Sequence, residues 1–200
     1  MKGILFKPDM IRAIVDGSKT QTRRSAGLEE VNQAPDDWEY NGWAGSWQGF
    51  AFSNLPSATT SRICRPRYLP NEVVYIKEAY WQDQSGGLWD YKLDSSRWEN
   101  IEWPVTICGG KAISPLFMPA WAARYFIRIT DVRAERVQEI TEEDAFAEGC
   151  KNKVLFSNSS FDIVIQPASD VFRELWNSIN KPPFDREVNP WVWVISFKVV

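Results

Sequence analysis

Between residues 17 and 24 a helix has to stop and a strand has to start, and this requirement constrains the chain more than any other stretch. The segment reads Gly17-Ser18-Lys19-Thr20-Gln21-Thr22-Arg23-Arg24. Upstream, Met10, Ile11, Ile14 and Val15 recur at helical spacing behind Pro8. This pattern predicts a helix over 8–16, with proline in a first-turn position and Gly17 as the left-handed residue past its end. The chain then leaves a tight corner as a strand. Alternation from Thr20 puts Thr20, Thr22 and Arg24 on one face and Gln21 and Arg23 on the other. Lys19 precedes that alternation, so a bend there brings its ammonium beside Thr22.

The corner also carries a signature. Gly17, Lys19, Thr22 and Arg24 reproduce Gly-x-Lys-x-x-Thr-x-Arg, and here the chain resembles the ASCH domain, a family of small β-barrels in the PUA-like superfamily. Ile4 to Arg24, Glu72 to Trp81, Ile129 to Gly149 and Asn189-Pro190-Trp191-Val192-Trp193-Val194 share the resemblance, which is to the bacteriophage and prophage type and covers about two thirds of the chain. Residues 25–70 and 82–112 fall outside it. The resemblance implies an α+β domain built on a PUA-like (ASCH) β-barrel with short helices around it and a Trp-rich insertion. It also implies a pocket for RNA or a modified nucleoside. The chain is roughly twice the size of a minimal ASCH domain, so the insertions are free to reshape such a pocket.

The 200 residues, 44% hydrophobic and 24% charged, suit one domain (1–200) with one sizeable core and insertions at about 25–70 and 82–112. No stretch is apolar for long enough to span a bilayer, and Ile4-Leu5-Phe6 is cut off by Lys7-Pro8 too early for a signal segment, so a cytoplasmic location is expected. Three widely spaced cysteines, Cys64, Cys108 and Cys150, offer neither a disulfide framework nor a zinc site. Neither a metal nor a cofactor is expected.

The chain has no histidine, which removes Ser-His-Asp and Cys-His nucleophiles and most zinc chemistry. Any hydrolysis falls to lysine, carboxylates, hydroxyls or water. A net charge of −3 argues against a general DNA coat. The charge is nevertheless uneven: residues 1–25 carry six cations against Asp9 and Asp16, whereas residues 26–60 carry five acids and no lysine or arginine. A focused positive site on an acidic body suits a small anion or a short nucleic-acid segment.

Within 25–70, recurrent Gly, Pro, Asn and Ser deny a long regular element. Trp38, Tyr40, Trp43, Trp47 and Phe50 in that stretch make either an aromatic mini-core or a platform for stacking bases. Arg62, Arg65 and Arg67 add a second cationic cluster. Glu72 to Glu78 reads as a strand, and the family resemblance places Glu78 and Trp81 among substrate-binding residues. The alternative for Glu78 is an ion pair with a neighbouring arginine. A hairpin through Leu88–Leu93 and Trp98–Val105 and a strand from Tyr125 to Val132 follow.

Thr141-Glu142-Glu143-Asp144 has the form of a helix start, with Thr141 as N-cap, and Gly149 marks the end. The helix dipole accounts for the three acids in the first turn. It does not account for Glu148, a carboxylate in the last turn, which calls for a cationic partner or else is a solvated surface group. ASCH enzymes place a functional glutamate at the matching position. Ser169 or Asp170 caps a helix over 169–180 whose Val171, Phe172, Leu175, Trp176 and Ile179 form a core stripe. Trp191 to Val199 is apolar on both faces and reads as a central strand.

Three functions fit these residues. The first is an amidohydrolase of the N4-acetylcytidine type, with Thr22 as nucleophile, Lys19 as base and Glu148 orienting the lysine or handling the leaving-group proton, while Arg23 and Arg24 hold substrate. Lysine serves as a base only where burial or neighbouring cations displace its proton, and a glutamate partner acts the other way. The second is a non-catalytic reader of nucleoside, nucleotide or single-stranded RNA, with arginines on phosphates and tryptophans on bases. The third is a ribonuclease. No membrane partner is expected.

Overall fold

In the computed structural model the described residues are 1–45, 49–56, 59–83, 85–91, 111–156, 163–181 and 184–200. The chain is mixed α+β and mostly strand, and it divides into two compact units, each assembled from separate stretches of sequence.

The first unit comprises residues 1–16, 73–128 and 199–200. Strand β1 (Gly3–Leu5) lies parallel to β6 (Val73–Lys77), with Gly3 opposite Tyr75 and Leu5 opposite Lys77. On its other side β6 pairs antiparallel with the opening of β10 (Phe126–Arg136), Phe126 opposite Tyr75. Helix α1 (Pro8–Val15) starts at Pro8 and buries Ile11 and Ile14, as the apolar spacing requires. Asp9 sits in its first turn, and Gly17 follows the helix with φ 81°, a conformation that costs a glycine little. Strand β7 (Tyr80–Gln82) lies between β8 (Leu88–Tyr91) and β9 (Lys111–Ile113), and Tyr80, Met118 and Ala122 form a small core beside them. Of the expected hairpin, Leu88 to Tyr91 is strand and pairs with β7; residues 92–110 lie outside the described residues.

The second unit comprises residues 17–72 and 129–198. Here β2 (Gln21–Arg24) pairs antiparallel with β13 (Trp191–Val199), which neighbours β10 on its other side. Its central position explains why β13 is apolar on both faces, with Trp191 to Ile195 all buried. One face receives the insertion. Strands β3 (Trp38–Ala44), β4 (Gly49–Asn54) and β5 (Ser61–Cys64) form an antiparallel sheet whose Phe50 ring lies 5.0 Å from Trp193 and whose Phe52 lies 5.3 Å from Trp191. Of the aromatics read from sequence, Phe50 is buried as a mini-core residue and the half-buried Tyr40 packs against Phe50 and Phe52, while Trp38 is half-buried, Trp43 stays half exposed and Trp47 is outside the described residues. Buried Asn32 joins the insertion to β13 by exchanging two hydrogen bonds with the Trp191 main chain, at 2.9 and 2.7 Å.

The other face of β13 carries Val192 and Val194, packed with Val137, Ala145, Phe172 and Trp176. Two helices supply that cover, α2 (Glu142–Ala147) and α3 (Ala168–Ile179). No side chain of Ser169 or Asp170 caps α3. Instead, the Glu142 carboxylate accepts from the Ala168 and Ser169 amides and from the Ser169 hydroxyl. A hairpin of β11 (Lys153–Phe156) and β12 (Ile163–Gln166) completes the unit.

Among the described residues the sheets do not close into a barrel, contrary to the expected architecture. Closure gives every strand two neighbours. In the first unit β1 ends the pairing at β6, and in the second β2 ends it at β13, because residues 25–70 build a separate three-stranded sheet instead of continuing beside β2. Among the described residues no helix is long and apolar enough to cross a membrane.

Candidate functional site

The site grows from the corner at Gly17. Lys19 makes an isolated antiparallel bridge to Glu148, and the next amide, Thr20 N–H, donates to Ala147 O at 2.8 Å. These backbone bonds lay the start of β2 along the last turn of α2. That turn is fixed independently. Thr141 Oγ1 accepts from the Asp144 amide at 3.1 Å, and Gly149, at φ 87°, closes the helix with its amide on Phe146 O.

Lys19, only 1% exposed, therefore aims its ammonium at a helix C-terminus. Nζ donates to Glu148 Oε2 at 2.6 Å and to the Glu148 carbonyl at 2.7 Å. The carbonyl is one of those a helix end leaves without an internal partner, so a single cation satisfies both the carboxylate and the dipole behind it.

Arg23 converges on the same group. Its NH1 donates to Glu148 Oε1 at 3.2 Å and to Gln21 Oε1 at 2.8 Å, and its NH2 donates to Asp144 Oδ2 at 2.8 Å and Glu135 Oε2 at 3.1 Å. Gln21 Nε2 reaches Asp144 Oδ1 at 3.1 Å. The guanidinium lies 5.5 Å from the centroid of the Phe172 ring. Arg133 continues the network outward, donating to Asp144 Oδ2 at 3.2 Å and to Glu135. Lys19, Arg23 and Arg133 thus face Glu135, Asp144 and Glu148, with Asp131 a fourth carboxylate 3.7 Å from Arg133 at the outer end, graded from the buried Lys19 to an Arg133 side chain 35% exposed. Charges buried to this depth are tolerated when each is paired and hydrogen-bonded.

The residues singled out from sequence separate into three groups. Lys19, Glu148 and Arg23 meet. Thr22 and Arg24 follow the strand alternation to the other face of β2, where Thr22 stands opposite Ile195 and Arg24 opposite Trp193. The bend expected to carry Lys19 toward Thr22 carries it toward α2 instead, because the bridge to Glu148 keeps Lys19 extended. Thr22 is buried, and burial is the main influence on Arg24, lowering its pKa against the opposing effects of Tyr68 and Glu148. Glu78 and Trp81 belong to the first unit. Glu78 is buried in a two-pronged pair with Arg124, Nε to Oε1 at 3.0 Å and NH2 to Oε2 at 2.9 Å, which is the arginine-paired alternative. Trp81 lies on β7 opposite Asp90 and Ala112.

Gln21, Arg133, Glu135 and Asp144 were not singled out. Asp144 had a sufficient explanation as a first-turn acid, and the dipole argument concealed its second role. Arg133 and Glu135 carried a usable signal: in a strand, residues two apart share a face, so this pair announces a charged row on β10. Burial, reinforced by Glu148, pushes the neighbouring Cys150 thiol up to about 11, so it contributes bulk and not a thiolate. No group of three His, Cys, Asp or Glu side chains suited to a metal ion occurs among the described residues.

Comparison with family models, with characterised proteins and with solved structures found no match to this chain.

Proposed function

We propose that this chain binds RNA or a modified nucleoside or nucleotide at the Lys19–Glu148 pair, in the manner its resemblance to PUA-like ASCH domains implies. One observation carries the reading: two buried, oppositely charged groups 129 residues apart in sequence meet at 2.6 Å, and they are the two that the signature and the helix-end argument had marked independently. An ammonium beside a carboxylate complements a nucleobase edge that carries both a ring carbonyl and an exocyclic N–H, as cytosine does on either side of its N3. The carbonyl accepts from Lys19 or Arg23 and the N–H donates to Glu148. Arg133, 35% exposed, is the outer end of the network and the guanidinium a phosphate would meet first, in exchange for one of its carboxylate partners.

Hydrolysis of an acylated nucleobase is the reaction this edge recognition favours. Glu148 takes a proton from water as the water oxygen adds to the acyl carbon, Lys19 and Arg23 hold the oxyanion, and the proton passes to the departing amine nitrogen as the C–N bond breaks. Carboxylic acid and free base leave together. The nucleophile in this scheme is water, because Thr22 occupies the opposite face of β2.

A second reading, a binding module without chemistry, is favoured by the closure of the network, in which both Glu148 oxygens already hold cations. The test is a panel of acylated and methylated nucleosides and short single-stranded RNAs, followed by melting shift and by product analysis. Release of acid from an acylated nucleoside supports the hydrolase; saturable stabilisation without product supports the module; shortened RNA supports a nuclease. Absence of both stabilisation and product across the panel overturns the assignment.

A further inference from the structure

A second site lies in the first unit and does not depend on the reading of Lys19. Between β1, α1 and the end of β6 is a cavity of about 270 Å³, just below the roughly 300–1,000 Å³ of drug-sized ligand pockets. Phe6, Ile11, Ala79 and Pro115 supply apolar walls, with Phe6 and Ile11 themselves buried and therefore fixed. Three charged residues also line it, and their states differ. Glu78 is neutralised by the two-pronged Arg124 pair, and Arg12 is engaged by Asp9 at 3.0 Å. Lys77 donates to the Leu116 carbonyl at 2.8 Å, a contact that positions the ammonium without cancelling its charge. The cavity therefore presents an apolar slot with a positioned cation at its edge, while the one carboxylate in its lining is already balanced.

We propose that this cavity binds a small aromatic or branched aliphatic monocarboxylate, with the hydrocarbon body against Phe6, Ile11 and Pro115 and the carboxylate on Lys77. The volume limits the ligand to about one ring or a short branched chain. The positive edge selects an anion over a neutral analogue, because one charge-assisted hydrogen bond is stronger than its neutral counterpart.

Calorimetric titration of the full chain with benzoate and with benzyl alcohol tests this. Benzoate is expected to bind one to one and at least about tenfold more tightly than benzyl alcohol. Lys77→Met should weaken benzoate at least about tenfold and bring it close to benzyl alcohol, and Ala79→Leu, which fills the slot, should abolish both. The comparison of the two probes on the unaltered chain holds even if a variant fails to fold. Equal affinity for both probes, no binding of either, or benzoate binding that survives Ala79→Leu overturns the proposal.

Discussion

Lys19 donates to the side chain and to the main chain of Glu148, so one ammonium both neutralises a carboxylate and ends a helix. With Arg23 on the other carboxylate oxygen, Glu148 is held from two sides in a place where a lone acid would oppose the helix dipole.

Removing either partner leaves a buried charge short of its counterion. Lys19→Met and Glu148→Leu should each destabilise the fold by about 3 kcal/mol or more, near the low end of the cost of breaking a buried pair, because Arg23 and its other carboxylates remain. The double variant should cost less than the sum by at least about 1 kcal/mol, since the two residues touch. Urea unfolding of the four proteins measures this, and strict additivity would show the pair to be energetically independent.

Asn32 is the clasp between the insertion and β13. Asn32→Ala removes a donor and an acceptor from a buried backbone and is expected to cost about 2–4 kcal/mol, the sum of two unmade bonds at a buried position. The denaturation midpoint should fall with little change in slope. A cost below about 0.5 kcal/mol would mean the aromatic packing alone holds the insertion.

Both described cysteines are raised to about 11, chiefly by burial, with nearby acids adding to the effect. A group that stays protonated in the fold contributes stability in full below its unfolded value near 9, and loses it as pH rises toward 11. Stability should therefore decline across that window. Brief alkylation at pH 8, read by mass spectrometry, should leave Cys64 and Cys150 unmodified in native protein and modified after unfolding. Modification of either in the native state would contradict the burial assigned to it.

Glu142 shows the opposite sign. Its pKa is lowered, first by the Ser169 hydroxyl and then by the Ser169 and Ala168 amides. Its contribution is present above the ordinary glutamate range and disappears as pH falls through the depressed value. Ser169→Ala should move the Glu142 titration, followed by carboxyl carbon NMR, back toward the ordinary value. No movement would mean that the hydroxyl bond is not made in solution.

The legibility of this chain in its sequence divides along physical lines. Helix α1, the Thr141 cap, the core stripe of α3 as far as Trp176 and the centrality of β13 were readable, because each rests on local periodicity or on a single terminus, whereas Ile179 of that stripe is 48% exposed. So was the demand of Glu148 for a cation, since the dipole argument is also local. The barrel was not, because closure depends on which strands become neighbours, and residues 25–70 made their own sheet. The placement of Thr22 failed for a related reason. Strand alternation was correctly assigned from Thr20, but the backbone bridge that keeps Lys19 extended is a contact between residues 129 apart in sequence. Asp144 serves twice, as a first-turn acid and as a partner of Arg23, and only the first of these is a local property that sequence displays.

The central claim is that the Lys19–Glu148 pair is a ligand site and more than a structural clasp. Isothermal titration with N4-acetylcytidine, comparing the unaltered chain with Lys19→Met and with Asn32→Ala as a variant destabilised by about 2–4 kcal/mol away from the pair, separates the two most directly. The account predicts saturable binding that Lys19→Met weakens at least about tenfold while Asn32→Ala retains it. Unchanged affinity in Lys19→Met would contradict the account and leave the pair with a structural role alone.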